Sequence, residues 1–311
     1  MQDKKNVATR QAYGEFLAEN ANKIEDLVVL DADLSKSTKT ADFKKECPER
    51  FINMGIAEQN MFGVAAGLAL SGKKVCASTF AMFASGRAFE IIRNSIGYTK
   101  ANVKVCATHA GITVGEDGAS HQTFEDIALM RTIPGMLVIN PSDSISTKNL
   151  LDQAIKKDGP AYIRLGRSAV PNIYDDDSFI KIGKANVIKA DGDIAVIATG
   201  IMVNEAMMAA DKLAEMNINI RVIDMHTIKP LDEDIIIKLA KETKGIVTAE
   251  EHSIIGGLGS AVSEVIVKNC PVKMAFVGQN DTYGESGKPQ ELKEKYKMTY
   301  KEIMEAVKNL I

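Results

Sequence analysis

Short runs of consecutive apolar residues alternate along this chain with longer stretches in which apolar positions recur every three or four residues. The first kind reads as buried strand, the second as helix. Residues 7–21 predict a helix with Phe16 and Leu17 on its apolar side, and 27–30 a buried strand that runs into the polar, turn-rich stretch 31–37. Phe51 to Met54 is a short strand broken at Gly55, and a helix follows through Leu70 with Glu58 in its first turn. Further strands are predicted at 74–79, 102–108, 136–140 and 161–165, with helices near 80–97, 123–131 and 143–157. The alternation then lapses over 167–192, which holds Pro171 and the acidic run Asp175-Asp176-Asp177. It resumes with strands at 194–198, 218–223, 245–249 and 272–277, helices at 203–217, 232–243 and 257–269, and two short helices from Gln290.

Strands alternating with helices imply an α/β fold with a doubly wound parallel sheet. The lapse divides the chain into a first domain over 1–170, a linker over 171–190 and a smaller α/β domain over 191–311. The length of 311 residues accommodates two domains with a core each. The acidic run is expected to be a solvated surface.

The helix after Gly55 is apolar on all sides, so it is expected to be buried rather than amphipathic. Gly63 and Gly67 share one face, where another backbone could approach closely. Glu58 has no basic residue within seven positions. Position alone reads it as a first-turn acid favoured by the helix dipole. A carboxylate entering an apolar helix is costly, and the other reading is that something uses it.

Composition narrows the function classes. Hydrophobic residues at 45% and charged ones at 25% are ordinary for a soluble domain. A net charge of −3 gives no electrostatic case for nucleic acid or an anionic membrane. No apolar run reaches membrane-spanning length, and Met1-Gln2-Asp3-Lys4-Lys5 leads into no signal-type segment, so the cytoplasm is the expected compartment. Cys47, Cys76, Cys106 and Cys270 are scattered without a paired motif and read as reduced core thiols.

Ligands of doubly wound sheets bind beyond the carboxyl ends of the strands. Asp33, His109, Asp117, His121 and Arg167 all follow predicted strands. Phe80 and Phe83, three apart at an expected helix start, face the same way and are either core packing or a platform for a flat heterocycle. His109 and His121 bracket a loop in which five of eleven interior residues are glycine or alanine. Small residues let the backbone approach a ligand, imidazole can exchange hydrogen bonds with a hydroxyl or carbonyl, and Asp117 can accept from a polyol. The glycine-bearing stretch 254–259 fits neither the dinucleotide fingerprint nor a Walker loop and is read as a tight turn before a helix.

Three motifs then stand out in order: Gly55-Ile56-Ala57-Glu58-Gln59-Asn60, Thr79-Phe80-Ala81-Met82-Phe83 and Gly115-Glu116-Asp117-Gly118-Ala119-Ser120-His121-Gln122. Together they resemble the pyrimidine-binding domain of transketolase. Val7-Ala8-Thr9-Arg10, Ala32-Asp33-Leu34 and Arg164-Leu165-Gly166-Arg167 extend the resemblance. Residues from about 190 on, including Asp281-Thr282-Tyr283-Gly284-Glu285-Ser286-Gly287, are similar to the family's C-terminal domain. Where some relatives carry a third aromatic, this chain has Gly86.

The resemblance implies a thiamine-diphosphate enzyme that moves a two-carbon ketol unit between sugar phosphates. It makes Glu58 the catalytic carboxylate on the cofactor's aminopyrimidine, with Phe80 and Phe83 packed on the ring and Asp33 near the cofactor. His109, Asp117 and His121 would contact the sugar, His121 in a catalytic role. Arg10, Ser37, His109 and Arg167 would bind the sugar phosphate. No metal ligand is expected here: the chain lacks the Gly-Asp-Gly of a full-length transketolase. It thus resembles the C-terminal subunit of a split enzyme, whose N-terminal partner holds the diphosphate and Mg2+ or Ca2+, two copies of each chain being expected. The rivals are a deoxyxylulose-phosphate synthase-like or 2-oxoacid dehydrogenase beta-like subunit, and a non-catalytic scaffold of the same fold.

Overall fold

A computed structural model describes residues 6–177 and 179–311; the opening Met1 to Lys5 of the expected first domain lie outside them. Among the described residues the chain forms a seven-stranded sheet, a five-stranded sheet and a two-stranded ribbon. The larger sheet runs Thr227–Lys229, Leu137–Ile139, Ala161–Leu165, Val103–Thr108, Lys74–Phe80, Leu27–Asp31 and Phe51–Asn53. All its pairings are parallel except the first. The smaller sheet runs Lys273–Gln279, Gly245–Ser253, Ile194–Ala198, Ile220–Asp224 and Asn186–Lys189, parallel but for the last strand. Helices cover the sheets, as continuous apolar strands require. One apolar cluster reaches from Val28 and Val105 in the large sheet to Ala195, Ile197 and Ile223 in the small one.

The expected alternation is the one observed, and the differences have local causes. The lapse over 167–192 contains ordered strand: Ala169–Pro171 pairs antiparallel with Asn6–Ala8, and Asn186–Lys189 edges the small sheet. Strands this short carry no readable period. The stretch after Asp31 is helical, not a loop, over Ser35–Thr38 and Thr40–Glu46. Asp31 is fully buried and accepts from the Leu34 N–H (2.6 Å) and the Thr38 (2.6 Å) and Thr40 (2.9 Å) hydroxyls, so the polar residues of the stretch gather around one buried carboxylate. Phe80 ends a strand instead of opening a helix, and the expected helix beyond it is broken by wide π-turns at Phe83–Arg87 and Ile92–Tyr98. Glu58–Leu70 is buried on one side only, since Gln59, Asn60, Gly63, Gly67 and Leu70 are exposed. A Cβ built on Gly63 or Gly67 meets nothing within 4 Å.

The 254–259 stretch is a turn leading into the helix Leu258–Asn269. The buried Glu250 carboxylate already occupies the helix start, accepting from the N–H groups of Leu258 (2.7 Å) and Gly259 (2.8 Å). Cys47, Cys76 and Cys106 are buried, Cys270 is half-buried, and all four are free thiols. Among the described residues no helix is long and apolar enough to cross a membrane.

Candidate active site

The carboxyl ends of adjacent parallel strands assemble the site. Lys74–Phe80 and Val103–Thr108 are paired in register through Phe80 and Thr108, so Phe80 and the next residue, His109, emerge side by side. Their rings stack 3.9 Å apart at 25°. Phe83 follows 6.0 Å from Phe80 and nearly parallel to it, at 11°. His121 approaches both phenylalanines edge-on, at 6.1 and 5.4 Å. Its Nδ1 lies 3.0 Å from the Ser120 hydroxyl. The two histidines of the small-residue loop and the two aromatics therefore share one place.

His109 sits just past its strand with φ 58°, in the left-handed region that a side chain rarely adopts. It is buried, and burial together with the cations Arg10 and Arg167 lowers its pKa to about 3. The imidazole is neutral throughout the physiological range. A guanidinium can only donate, so Arg10 Nη1, at 3.1 Å, donates to His109 Nε2. The proton then resides on Nδ1, which donates to the Thr108 hydroxyl 2.9 Å away.

Arg10 also donates to the backbone carbonyl of Ser37 at 2.8 Å; the carbonyl, not the hydroxyl, makes this contact. Burial and the neighbouring Arg167 pull the Arg10 pKa down, with Asp117 opposing. Its buried Nε has no hydrogen-bond partner. Arg167 donates to Glu116 (2.6 Å) and to the carbonyl of Val114. Two guanidiniums and one orphaned buried donor suit a multiply charged anion.

Glu58 lies at the other end of the aromatic pair. Its carboxylate is 1% exposed, although it opens a helix next to the surface. Arg87 Nη1 donates to Oε2 at 2.7 Å, and the Thr79 hydroxyl is 3.5 Å from Oε1. The Arg87 guanidinium stands 4.7 Å from the Phe83 ring centre. Sequence reasoning missed Arg87 as a partner because it follows Glu58 by 29 residues. Its position four residues beyond Phe83, one helical turn on, was the available signal. Asp33, also at positive φ (63°), is exposed and exchanges hydrogen bonds with Asn53 at 2.9 and 3.1 Å rather than with the ring cluster. Asp117 is exposed on the loop, close enough to Arg10 to act on its charge.

The loop is held from below by the C-terminal half, which sequence reasoning did not foresee. The Thr113 N–H donates to the buried Glu251 carboxylate at 2.7 Å, and Gln122 Nε2 donates to the Glu285 carbonyl at 2.9 Å. Gly118, at φ 76°, packs so closely on Ser286 that a Cβ would strike its hydroxyl. Arg164 is buried between Asp126 (2.8 Å) and the Glu251 carbonyl (2.8 Å), which makes it a strut rather than a ligand contact.

The chain's similarity to known proteins covers both halves. Residues 5–172 match the family described as transketolase, pyrimidine binding domain, and residues 183–303 the one described as transketolase, C-terminal domain. A Methanocaldococcus jannaschii protein named "Putative transketolase C-terminal section" is 53% identical over 306 residues, 96% of each chain. Human transketolase is 38% identical over 309 residues, which are 98% of this chain but 49% of the human protein. A solved structure described as a split gene transketolase, inactive beta4 tetramer, superposes with a TM-score of 0.91 at 52% identity, covering 98% of both chains. The likeness runs the length of the sequence and through the fold, and the chain accordingly belongs to the transketolase family, as its C-terminal section: the pyrimidine-binding domain followed by the C-terminal domain.

Proposed function

We propose that this chain is the C-terminal subunit of a two-chain transketolase, using thiamine diphosphate to transfer a two-carbon ketol unit from a ketose phosphate to an aldose phosphate. The observation that carries the reading is the buried Glu58 carboxylate beside the stacked rings of Phe80 and Phe83. That seat fits an aminopyrimidine: the rings match its face, and a carboxylate kept from water can share a proton with a ring nitrogen. When bound, the cofactor supplies the carbon nucleophile that takes up the ketol unit. Glu58 holds the proton at the pyrimidine nitrogen, and Phe80 and Phe83 fix the ring's plane. Asp33 lies near the cofactor. His121 and Asp117 meet the sugar's hydroxyls and carbonyl. Arg10, Arg167, Ser37 and the neutral His109 receive the phosphate, the orphaned Arg10 Nε being free to donate to it.

The partner is an N-terminal subunit that holds the diphosphate and a Mg2+ or Ca2+ ion, with two copies of each chain in the assembly. The uncovered glycine face of Glu58–Leu70 supports a contact surface next to the seat. A relative of the same extent is described as an inactive beta4 tetramer, which supports the need for a second kind of chain. The test is to purify this chain with the N-terminal, thiamine-binding chain of its host. The pair is assayed with xylulose 5-phosphate plus ribose 5-phosphate, and with pyruvate plus glyceraldehyde 3-phosphate. Turnover of the first pair of substrates by the two chains together is the expected result. Turnover by either chain alone, or of pyruvate only, overturns it. Since a 42% identical Clostridium relative is named a 6-deoxy-6-sulfo-D-fructose transketolase subunit, a sulfonated donor belongs in the panel.

A further inference from the structure

The Glu58 seat already contains something of the right shape. The Arg87 guanidinium is flat, donates to Glu58 Oε2 at 2.7 Å, and stands 4.7 Å from the Phe83 ring centre. A bound heterocycle would use the same two features, the carboxylate at its edge and an aromatic at its face. Phe80 is engaged differently, with His109 at 3.9 Å on one side, so Phe83 is the ring that Arg87 takes. The Arg87 side chain is 47% exposed and the carboxylate it meets 1% exposed. It grows from the π-turn Phe83–Arg87, beside the exposed Gly86. Wide turns of this kind tend to accompany functional sites.

We propose that Arg87 is an internal stand-in for the aminopyrimidine, a gate that closes the seat in the chain as it stands and must swing out when the cofactor enters. The proposal rests on the reading of Glu58 as the pyrimidine-binding carboxylate. The two occupants exclude each other chemically as well as sterically. A guanidinium only donates and forms an ion pair with Glu58. A pyrimidine nitrogen carries a lone pair and needs Glu58 to share a proton. Apparent affinity for the cofactor is then lowered by the fraction of chains in which Arg87 occupies the seat. Departure of Arg87 also removes the stabilising partner of a buried carboxylate, so the open seat persists only when filled.

The probe is the aminopyrimidine half of thiamine, as its free alcohol, which needs no diphosphate site. Its binding to the full-length chain is measured by calorimetry for wild type, Arg87→Met, Arg87→Lys and the double variant Arg87→Met with Glu58→Gln. Circular dichroism confirms that each is folded. Arg87→Met is expected to bind the probe about two- to fivefold more tightly than wild type, the range of a half-exposed ion pair. Arg87→Lys should fall between the two. Raising the salt from about 0.05 to about 0.5 M should tighten wild-type binding, because screening weakens the competing pair, and leave Arg87→Met unchanged. Binding by Arg87→Met no tighter than wild type, including none detectable in either, overturns the gate. If the double variant binds as well as Arg87→Met, the reading of Glu58 falls and the gate with it. Loss of binding in the double variant, with wild type and Arg87→Met equal, overturns the gate alone.

Discussion

Glu58 and Arg167 face opposite ends of the same site, and their replacement should fail in different ways. Glu58→Gln keeps the side chain's shape but cannot share a proton with a ring nitrogen in the same manner. In the reconstituted enzyme it should slow deuterium exchange at the cofactor's reactive carbon by roughly a hundredfold or more, followed by NMR. An unchanged exchange rate would remove Glu58 from the chemistry. Arg167→Ala should act on binding instead. A charged hydrogen bond to phosphate contributes about 1.5–3 kcal/mol, roughly ten- to a hundredfold in the Michaelis constant. The loss should appear with phosphorylated sugars and be small with unphosphorylated ones; an equal loss with both would assign Arg167 to holding the loop through Val114 and Glu116.

The loop between the two histidines shows what an element can and cannot disclose in sequence. Its small residues, its histidines and its place after a strand are all legible, and so is the parallel sheet behind it. What pins it is not: Ser286, Glu285 and Glu251 are distant in the chain and come from the other half. Glu58–Leu70 misleads for a related reason. Its apolar residues on every side predict complete burial, yet one face of the single chain is open. Under the two-chain reading, the pattern reflects burial against a neighbour as well as within the fold. The pairing of Arg87 with Glu58 was missed because contact across 29 residues has no period, and only the spacing of Arg87 from Phe83 pointed to it. The loop's anchorage can be measured through Gly118. Gly118→Ala adds a Cβ at φ 76° against Ser286, a strain of about 1–3 kcal/mol. The melting temperature should fall by several degrees and the Michaelis constant for sugar phosphate should rise. Adding Ser286→Ala should restore part of the loss; no recovery would place the strain in the backbone alone.

At the scale of the molecule, one titratable group sits where the two sheets and their connection meet. Asp224 ends a strand of the small sheet and accepts from Ser142, past a strand of the large sheet, and from Tyr174 in the connection, both at 2.6 Å. Burial raises its pKa from 3.8 to about 7, against the help of those two hydroxyls. The folded chain therefore holds this proton more tightly than the unfolded one. Its contribution to stability is complete below the unfolded value and is lost as the pH rises from about 4 through about 7. The difference of about three pH units caps the effect at about 4 kcal/mol. Wild type should lose melting temperature between about pH 4 and pH 7, and Asp224→Asn, which has no proton to lose, should lose much less. Parallel curves for the two proteins would refute the assignment.

The strand Thr227–Lys229 carries a consequence for anyone who would divide this chain. It leaves the C-terminal half to lie antiparallel along Leu137–Ile139, as the outermost strand of the large sheet. A fragment ending near residue 190 would keep every residue proposed for the site but lose its own border. Its Leu137–Ile139 strand would present unpaired backbone groups and the apolar surface beneath, a template for other copies of itself. Such a fragment should precipitate where the intact chain stays in solution, and supplying residues 191–311 as a separate polypeptide during refolding should rescue it. A break at 171–190 would therefore separate the candidate site from the strand that borders its own sheet.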